Sequence, residues 1–208
     1  MRTEVLRADH PAALAHAVDV LKHGGLVAFP TDTVYGLAAL PFKEETVDRL
    51  YVAKGRNSLK AIAILIGDVS DLPRVTHLMT PLAERLAKRF WPGPMTLIVP
   101  GSPDLPSNLS HHPTVGVRMP DHPVALALLR QIGPLAVTSA NLSGGENART
   151  AQQVLAQLDG KIHLILDGGA VPGGVPSTVV DCTVLEPVIV RAGPISREML
   201  LEALSRNL

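Results

Sequence analysis

The chain has 208 residues, with 46% hydrophobic and 18% charged side chains, 19 basic and 19 acidic residues, and a single cysteine. That length and composition describe a globular chain with room for one sizeable core, and they exclude a disordered or disulfide-scaffolded protein. Zero net charge and 3% aromatic residues argue against a dedicated nucleic-acid binder, which usually carries a basic excess and stacking platforms.

The N-terminal run MRTEVLRADHP lacks the apolar segment of a signal peptide, and no apolar run reaches the length of a membrane span. Both features, with the lone Cys182, fit a reducing cytoplasm. Residues 11–23 predict a helix, with Leu14, Ala17, Val18 and Leu21 on one face and Gly24 as its stop. Leu26 to Phe29 reads as a short buried strand. Pro30 ends it, and Thr31, Asp32, Thr33 and Tyr35 then place three hydroxyls and a carboxylate within five residues. This polar knuckle is either a turn capping a strand end or one wall of a site.

A second helix is predicted over 43–53. It leads into the polar loop Lys54-Gly55-Arg56-Asn57-Ser58-Leu59-Lys60 and a strand over 61–66. Thr80 caps a helix to Phe90, with Pro81 in its first turn. Met95 to Val99 is a strand, and 101–113 is a Ser/Pro/Asn loop suited to a mobile segment. A short strand, 115–118, ends in Arg118. Asp121 is read as the cap of a helix to Ile132. Leu135 to Val137 is a strand running into Thr138-Ser139-Ala140-Asn141, and Thr150-Ala-Gln-Gln153 opens a further helix as a capping box. Strands follow at 163–166, 178–184 and 188–191, the last two paired across Glu186-Pro187, and Ser196 caps the final helix.

The mixture of strands and helices predicts an α/β fold, with a sheet that is not purely parallel and a single domain over 1–208. Several polar clusters share one placement, where an apolar strand gives way to a turn: the 31–35 knuckle, Lys54/Arg56/Lys60, Thr114/Arg118, Thr138/Ser139/Asn141, Ser177/Thr178 and Arg191. Strand ends collect ligands in open α/β sheets. Hydroxyls, amides and cations with few carboxylates suit an anion. Each cluster also has a plain structural reading as a turn or a solvated loop, and Arg191 alone reads as a surface residue. Neither common nucleotide loop is present. His111, His112 and His122 lack the spacing of a zinc motif and read as exposed, and Cys182 reads as a small buried strand residue.

Eight segments, GGLVAFPTDTVYGL, AKGR, WPGPMTLI, VGVRMPDHP, TSANLSG, DGG, GVPSTVVD and VIVRAGP, together resemble the YrdC-like family of L-threonylcarbamoyladenylate synthases. They span nearly the whole chain in family order. The resemblance implies a YrdC/RibB-like twisted mixed sheet flanked by helices, with a concave, positively charged groove. It implies the reaction of L-threonine, bicarbonate and ATP to L-threonylcarbamoyladenylate, pyrophosphate and water, the first step of threonylcarbamoyl modification of tRNA adenosine. By motif, Thr33, Arg118, Val137 (main chain) and Ser177 correspond to threonine contacts. Arg56, Lys60, Thr114, Ser139, Asn141, Asn147 and Arg191 correspond to ATP contacts. Lys54 and Arg56, from the KxR motif, are the expected catalytic cations.

The run Asn57-Ser58-Leu59-Lys60-Ala61 departs from the family pattern, which has a proline beside the arginine, and Leu65 stands where some members have a histidine. No tightly bound cofactor or protein metal site is expected; Mg²⁺ arrives with ATP. The adenylate is expected to pass to a separate tRNA threonylcarbamoyltransferase complex, with weak tRNA binding at most and no membrane association. Longer members add a C-terminal domain, and the chain reads as the form without it. The alternatives are other carbamoyl-adenylate chemistry on the same fold and a non-catalytic RNA-binding module. Replacing Arg56 or Arg118 by alanine is expected to abolish turnover and spare the fold.

Overall fold

The computed structural model describes residues 2–205. Its centre is one ten-stranded mixed sheet in the order β1-β8-β2-β3-β7-β4-β6-β5-β9-β10. The strands are β1 (Glu4–Arg7), β2 (Val27–Phe29), β3 (Gly36–Ala39), β4 (Ala63–Leu65), β5 (Met95–Pro100), β6 (Thr114–Arg118), β7 (Leu135–Ser139), β8 (Leu164–Asp167), β9 (Thr178–Asp181) and β10 (Val188–Arg191). The sheet combines parallel pairs (β1/β8, β2/β8, β4/β6, β5/β9) with antiparallel ones (β2/β3, β3/β7, β4/β7, β5/β6, β9/β10).

The helices are α1 (Ala13–Lys22), α2 (Glu44–Lys54), α3 (Leu72–Val75), α4 (Pro81–Phe90), α5 (Pro123–Ile132), α6 (Ala151–Leu158) and α7 (Arg197–Ser205). They divide unequally between the two faces of the sheet. On one face, α2, α4, α6 and α7 pack over inward residues such as Leu37, Ile64, Leu97, Val117 and Ile165. On the other, α1 and α5 bury Val27, Phe29, Ala38, Leu135 and Leu164. Side chains alternate across a strand, so β2 sends Ala28 to the first core and Val27 and Phe29 to the second. Two helices do not reach across ten strands. The second face is therefore left open over β4, β6, β5 and β9.

Local signals match the elements they predict. Thr80 accepts from the Ala83 amide at 3.1 Å, and Thr150 accepts from the Gln153 amide at 3.2 Å. Ser196 accepts from the Met199 amide at 3.3 Å. The Gln153 side chain reaches back to the Arg149 amide at 2.7 Å, one residue beyond the ordinary box partner.

Five expectations need correction. Asp121 does not cap α5: the cap position is His122, and the Asp121 amide instead donates to Asp32. Strand β9 ends at Asp181 rather than 184, because Asp181 turns its carboxylate onto the amide and hydroxyl of Thr183. Cys182 lies just past the strand, though fully buried, and burial pushes its thiol up to about 12. His122 is half-buried rather than exposed, with Nδ1 enclosed. Strand β1 gave no readable sequence pattern: its burial is mostly exposed, and only pairing with β8 defines it. The 101–113 loop is tied down. Leu109 is buried and receives the Ile62 amide at 2.9 Å, while Asn108 bonds Glu44 and Asp48 of α2.

Candidate functional site

The uncovered part of the sheet is the floor of a cavity of about 460 Å³. Its floor residues obey the period of two. On β6, Thr114, Gly116 and Arg118 face the cavity while Val115 and Val117 face the first core. On β5, Thr96 and Ile98 face it while Met95, Leu97 and Val99 turn away. Ala63 and Leu65 of β4, Val137 and Ser139 of β7, Gly36 of β3 and Val179 of β9 complete the floor. Small floor residues keep the space open: a Cβ on Gly36 would lie 2.8 Å from Val137 Cγ1, and one on Gly116 would lie 3.0 Å from the Thr96 methyl.

Arg56, Arg118 and Arg191 line the cavity with hydroxyls from Thr31, Thr33, Thr96, Ser110, Thr114, Thr138, Ser139 and Ser177, and among the described residues no acidic side chain lines it. Burial lowers the pKa of all three arginines, and two of them also feel another cation: Arg191 feels Arg56, and Arg118 feels Arg191. Guanidinium stays charged throughout. The arrangement therefore stores cation repulsion that a bound anion relieves.

Each arginine is held. Arg118 is buried, donating from Nε to the Gly93 carbonyl (2.9 Å), from Nη1 to Thr33 Oγ1 (3.0 Å) and from Nη2 to Asp32 Oδ1 (2.5 Å). Three of its five N–H groups are thus committed. Arg191 clamps Ser177, with Nε and Nη2 on the Ser177 carbonyl (3.1 and 2.8 Å) and Nη2 on Ser177 Oγ (3.0 Å). Arg56 donates to the Lys60 and Ala61 carbonyls (3.3 and 3.0 Å), which folds the departing loop back onto itself.

The knuckle resolves into separate tasks. Thr31 is its internal tie, donating to the Val34 carbonyl (2.6 Å) and accepting from the Thr33 and Val34 amides. Tyr35 is fully buried, donates to the Gly169 carbonyl (2.7 Å), and is pushed up to about 12 by burial. Asp32 faces Arg118. Thr33 lines the cavity and also receives Arg118 Nη1. The backbone behind it is pressed by the 168–174 loop: the Gly174 amide donates to the Thr33 carbonyl at 2.7 Å, and a Cβ on Gly173 would overlap that carbonyl at 2.2 Å.

Of the residues expected at the site, Thr33, Arg56, Thr114, Arg118, Val137, Ser139, Ser177 and Arg191 converge on this cavity. Lys54, Lys60, Asn141 and Asn147 are not in its lining. Lys54 is buried beneath the wall, where its ammonium donates to the main-chain carbonyls of Ser139 and Asn141 and to Asn141 Oδ1 (3.4 Å). Burial draws its pKa down to about 7. Asn141 donates to the Leu142 and Gly145 carbonyls (2.9 and 2.8 Å), pinning the loop that follows β7. Lys60 is exposed, and its carbonyl rather than its ammonium is engaged. Sequence reading missed Thr96, Gly36 and Gly116. Their signal was present: polar or small residues at every second position of apolar strands, on the face the helices leave bare.

Among the described residues, no helix is long and apolar enough to cross a membrane.

Known proteins are similar to this chain in sequence and in fold. A Bacillus subtilis threonylcarbamoyl-AMP synthase is 44% identical over 201 residues, covering 95% of this chain and 58% of that protein. A Mycobacterium tuberculosis (strain H37Rv) relative is 40% identical over 192 residues, covering 92% of this chain and 88% of its own length. The crystal structure of Pyrococcus abyssi Sua5 complexed with L-threonine superimposes with a TM-score of 0.93 at 38% identity, over 99% of this chain and 61% of that one. The chain thus spans about three fifths of the Bacillus and Pyrococcus proteins. The Sua5/YciO/YrdC family model, described as telomere recombination, matches residues 19–193, and the chain belongs to that family.

Proposed function

We propose that the protein is an L-threonylcarbamoyladenylate synthase, joining L-threonine, bicarbonate and ATP into the adenylate with release of pyrophosphate and water. The observation that carries this reading is a cavity lined by three arginines and eight hydroxyl residues and, among the described residues, by no carboxylate. The reaction brings three anions together, and positioning them against their mutual repulsion is its main physical demand. The name of the Bacillus relative and the threonine bound to the Pyrococcus protein support it.

In this reading the two uncommitted N–H groups of Arg118 and the Thr33 hydroxyl take the threonine carboxylate, with the Val137 main chain and Ser177 beside them. Arg56, Arg191, Thr114 and Ser139 take the ATP phosphates. The neutral threonine amine adds to bicarbonate, forming an N–C bond and releasing water. The resulting carbamate oxygen attacks the α-phosphorus, and the Pα–O bond to pyrophosphate breaks with its electron pair. Because the carbamate is already an anion, the chain need not supply a nucleophile. Lys54 contributes by fixing the main chain of Ser139 and Asn141, while Asn141 and Asn147 shape the loop around the nucleotide. Mg²⁺ enters with ATP, held by phosphate and water, since the cavity lining offers it no carboxylate. The chain acts in the cytoplasm as a single domain, and its product passes to a separate transferase complex that acts on tRNA.

The test is pyrophosphate release from ATP by the purified protein. Release that requires both L-threonine and bicarbonate, and that Arg56→Ala lowers by at least about a hundred-fold, as expected for loss of a charge-stabilising group, is the expected result. Release without threonine would overturn the reading.

A further inference from the structure

Thr96 is buried, lines the cavity, and is paired with Ser177 by a hydroxyl–hydroxyl contact of 2.7 Å. Ser177 Oγ in turn accepts from Arg191 Nη2 at 3.0 Å. Two hydroxyls own two protons, and their mutual contact uses one. Whichever way the pair is oriented, one hydroxyl proton remains. The Arg191 cation at the head of the series polarises it, so the free end is a strengthened donor.

The pair also has a definite place on the sheet. The β5/β6 register runs Leu97 to Val117 and Ile98 to Gly116, and continuing it by one residue sets Thr96 beside Arg118. Met95 pairs with Thr178 on β9, the residue after Ser177. The hydroxyl pair therefore lies between Arg118 on one side and Arg191 on the other. Arg118, tied to Thr33, serves the amino-acid carboxylate in the proposed reaction, and Arg191 serves phosphate. The group that must stand between an amine and an α-phosphorus is the one-carbon unit.

We infer that the Thr96–Ser177 hydroxyl pair, headed by Arg191, is the subsite for the carbonate-derived oxyanion, and that Thr96 is one of its ligands. The inference rests on the proposed synthase reading. The subsite holds bicarbonate while the amine adds to its carbon, and then holds the same oxygens as the carbamate. Ser177 keeps its expected place as a threonine contact, because in the carbamate the two groups are one molecule.

Thr96→Val removes the hydroxyl and keeps the branched shape that packs against Gly116. In buffer freed of dissolved CO₂, the KM for bicarbonate is expected to rise about ten-fold or more, as for loss of one hydrogen bond to a charged group. L-Threonine binding measured by calorimetry without bicarbonate stays within about two-fold, the scale of a lost non-contact, and Thr96→Ser restores the wild-type KM. Ser177→Ala raises the bicarbonate KM as well, and the double variant is less than additive, which keeps the test open if Thr96→Val folds poorly. An unchanged bicarbonate KM in both variants, or an equal rise for threonine or ATP in Thr96→Val, overturns the subsite while leaving the synthase reading intact. A wild-type protein whose turnover ignores bicarbonate overturns both.

Discussion

Asp32 explains how a buried arginine can serve a ligand. Its Oδ1 receives Arg118 Nη2 and the Asp121 amide, and the side chains of the pair are only 14% and 6% exposed. The carboxylate fixes the guanidinium plane, and Thr33 fixes it from the other arm. This arrangement corrects the expectation that Arg118 can be removed without harm to the fold. Arg118→Ala strands the Asp32 carboxylate, whose Oδ2 is already enclosed without a partner. Breaking a buried pair in this way costs about 3–5 kcal/mol. The urea midpoint of Arg118→Ala is expected to fall accordingly, and adding Asp32→Asn to recover part of the loss. A single variant as stable as the wild type would mean that the pair contributes nothing. Arg56, which has no carboxylate partner among the described residues and donates only to carbonyls, is the cleaner position for an activity test.

Among the elements, β10 and the turn after it decide where Ser177 and Arg191 stand. Gly193 follows Arg191 closely, and a Cβ there would sit 2.3 Å from the Thr178 amide and 2.6 Å from the Pro176 carbonyl. Only glycine lets the returning chain pass that near. Thr178 also holds the crossing from both sides, accepting from the Ile195 amide (2.9 Å) and donating to its carbonyl (3.0 Å). Gly193→Ala must push the two segments apart, at about 1–3 kcal/mol for overpacking. The expected outcome is a lowered thermal midpoint together with a loss of pyrophosphate release larger than the loss of folded protein explains. A variant with normal turnover would show that the clamp on Ser177 tolerates displacement. The same element logic clarifies Lys54: it ends α2 and braces the exit of β7, so it acts on the cavity wall from behind.

For the whole molecule, the unequal distribution of helices creates the site. Four strands' worth of one face is left uncovered by α1 and α5, and the cavity there is lined by the arginines of β6 and β10 and of the α2–β4 loop. Bringing these cations into one cavity raises the energy of the unliganded fold, so an anionic ligand should return that energy as stability. Pyrophosphate at about a hundred times its Kd is expected to stabilise the protein by about 2.7 kcal/mol. The effect should weaken as ionic strength rises, because salt screens the same charges. The check is a thermal melt with and without pyrophosphate at low and high salt. No shift at saturating pyrophosphate would mean that the arginines are not arranged for polyanions.

The sequence by itself determined the local elements and the identity of the polar strand ends. Caps at Thr80, Thr150 and Ser196, the stop at Gly24 and the β9/β10 pairing are written in nearby residues, and local chemistry is what fixes such features. It also named eight of the residues that line the cavity. Three things waited on tertiary structure. The separation of Lys54 and Asn141 from the cavity depends on which side of β7 they approach. The task of Asp32 depends on an arginine 86 residues away. The membership of Thr96 depends on which face of β5 lacks a helix. Each is a matter of what lies across the sheet from a residue, and long-range packing rather than local pattern decides that.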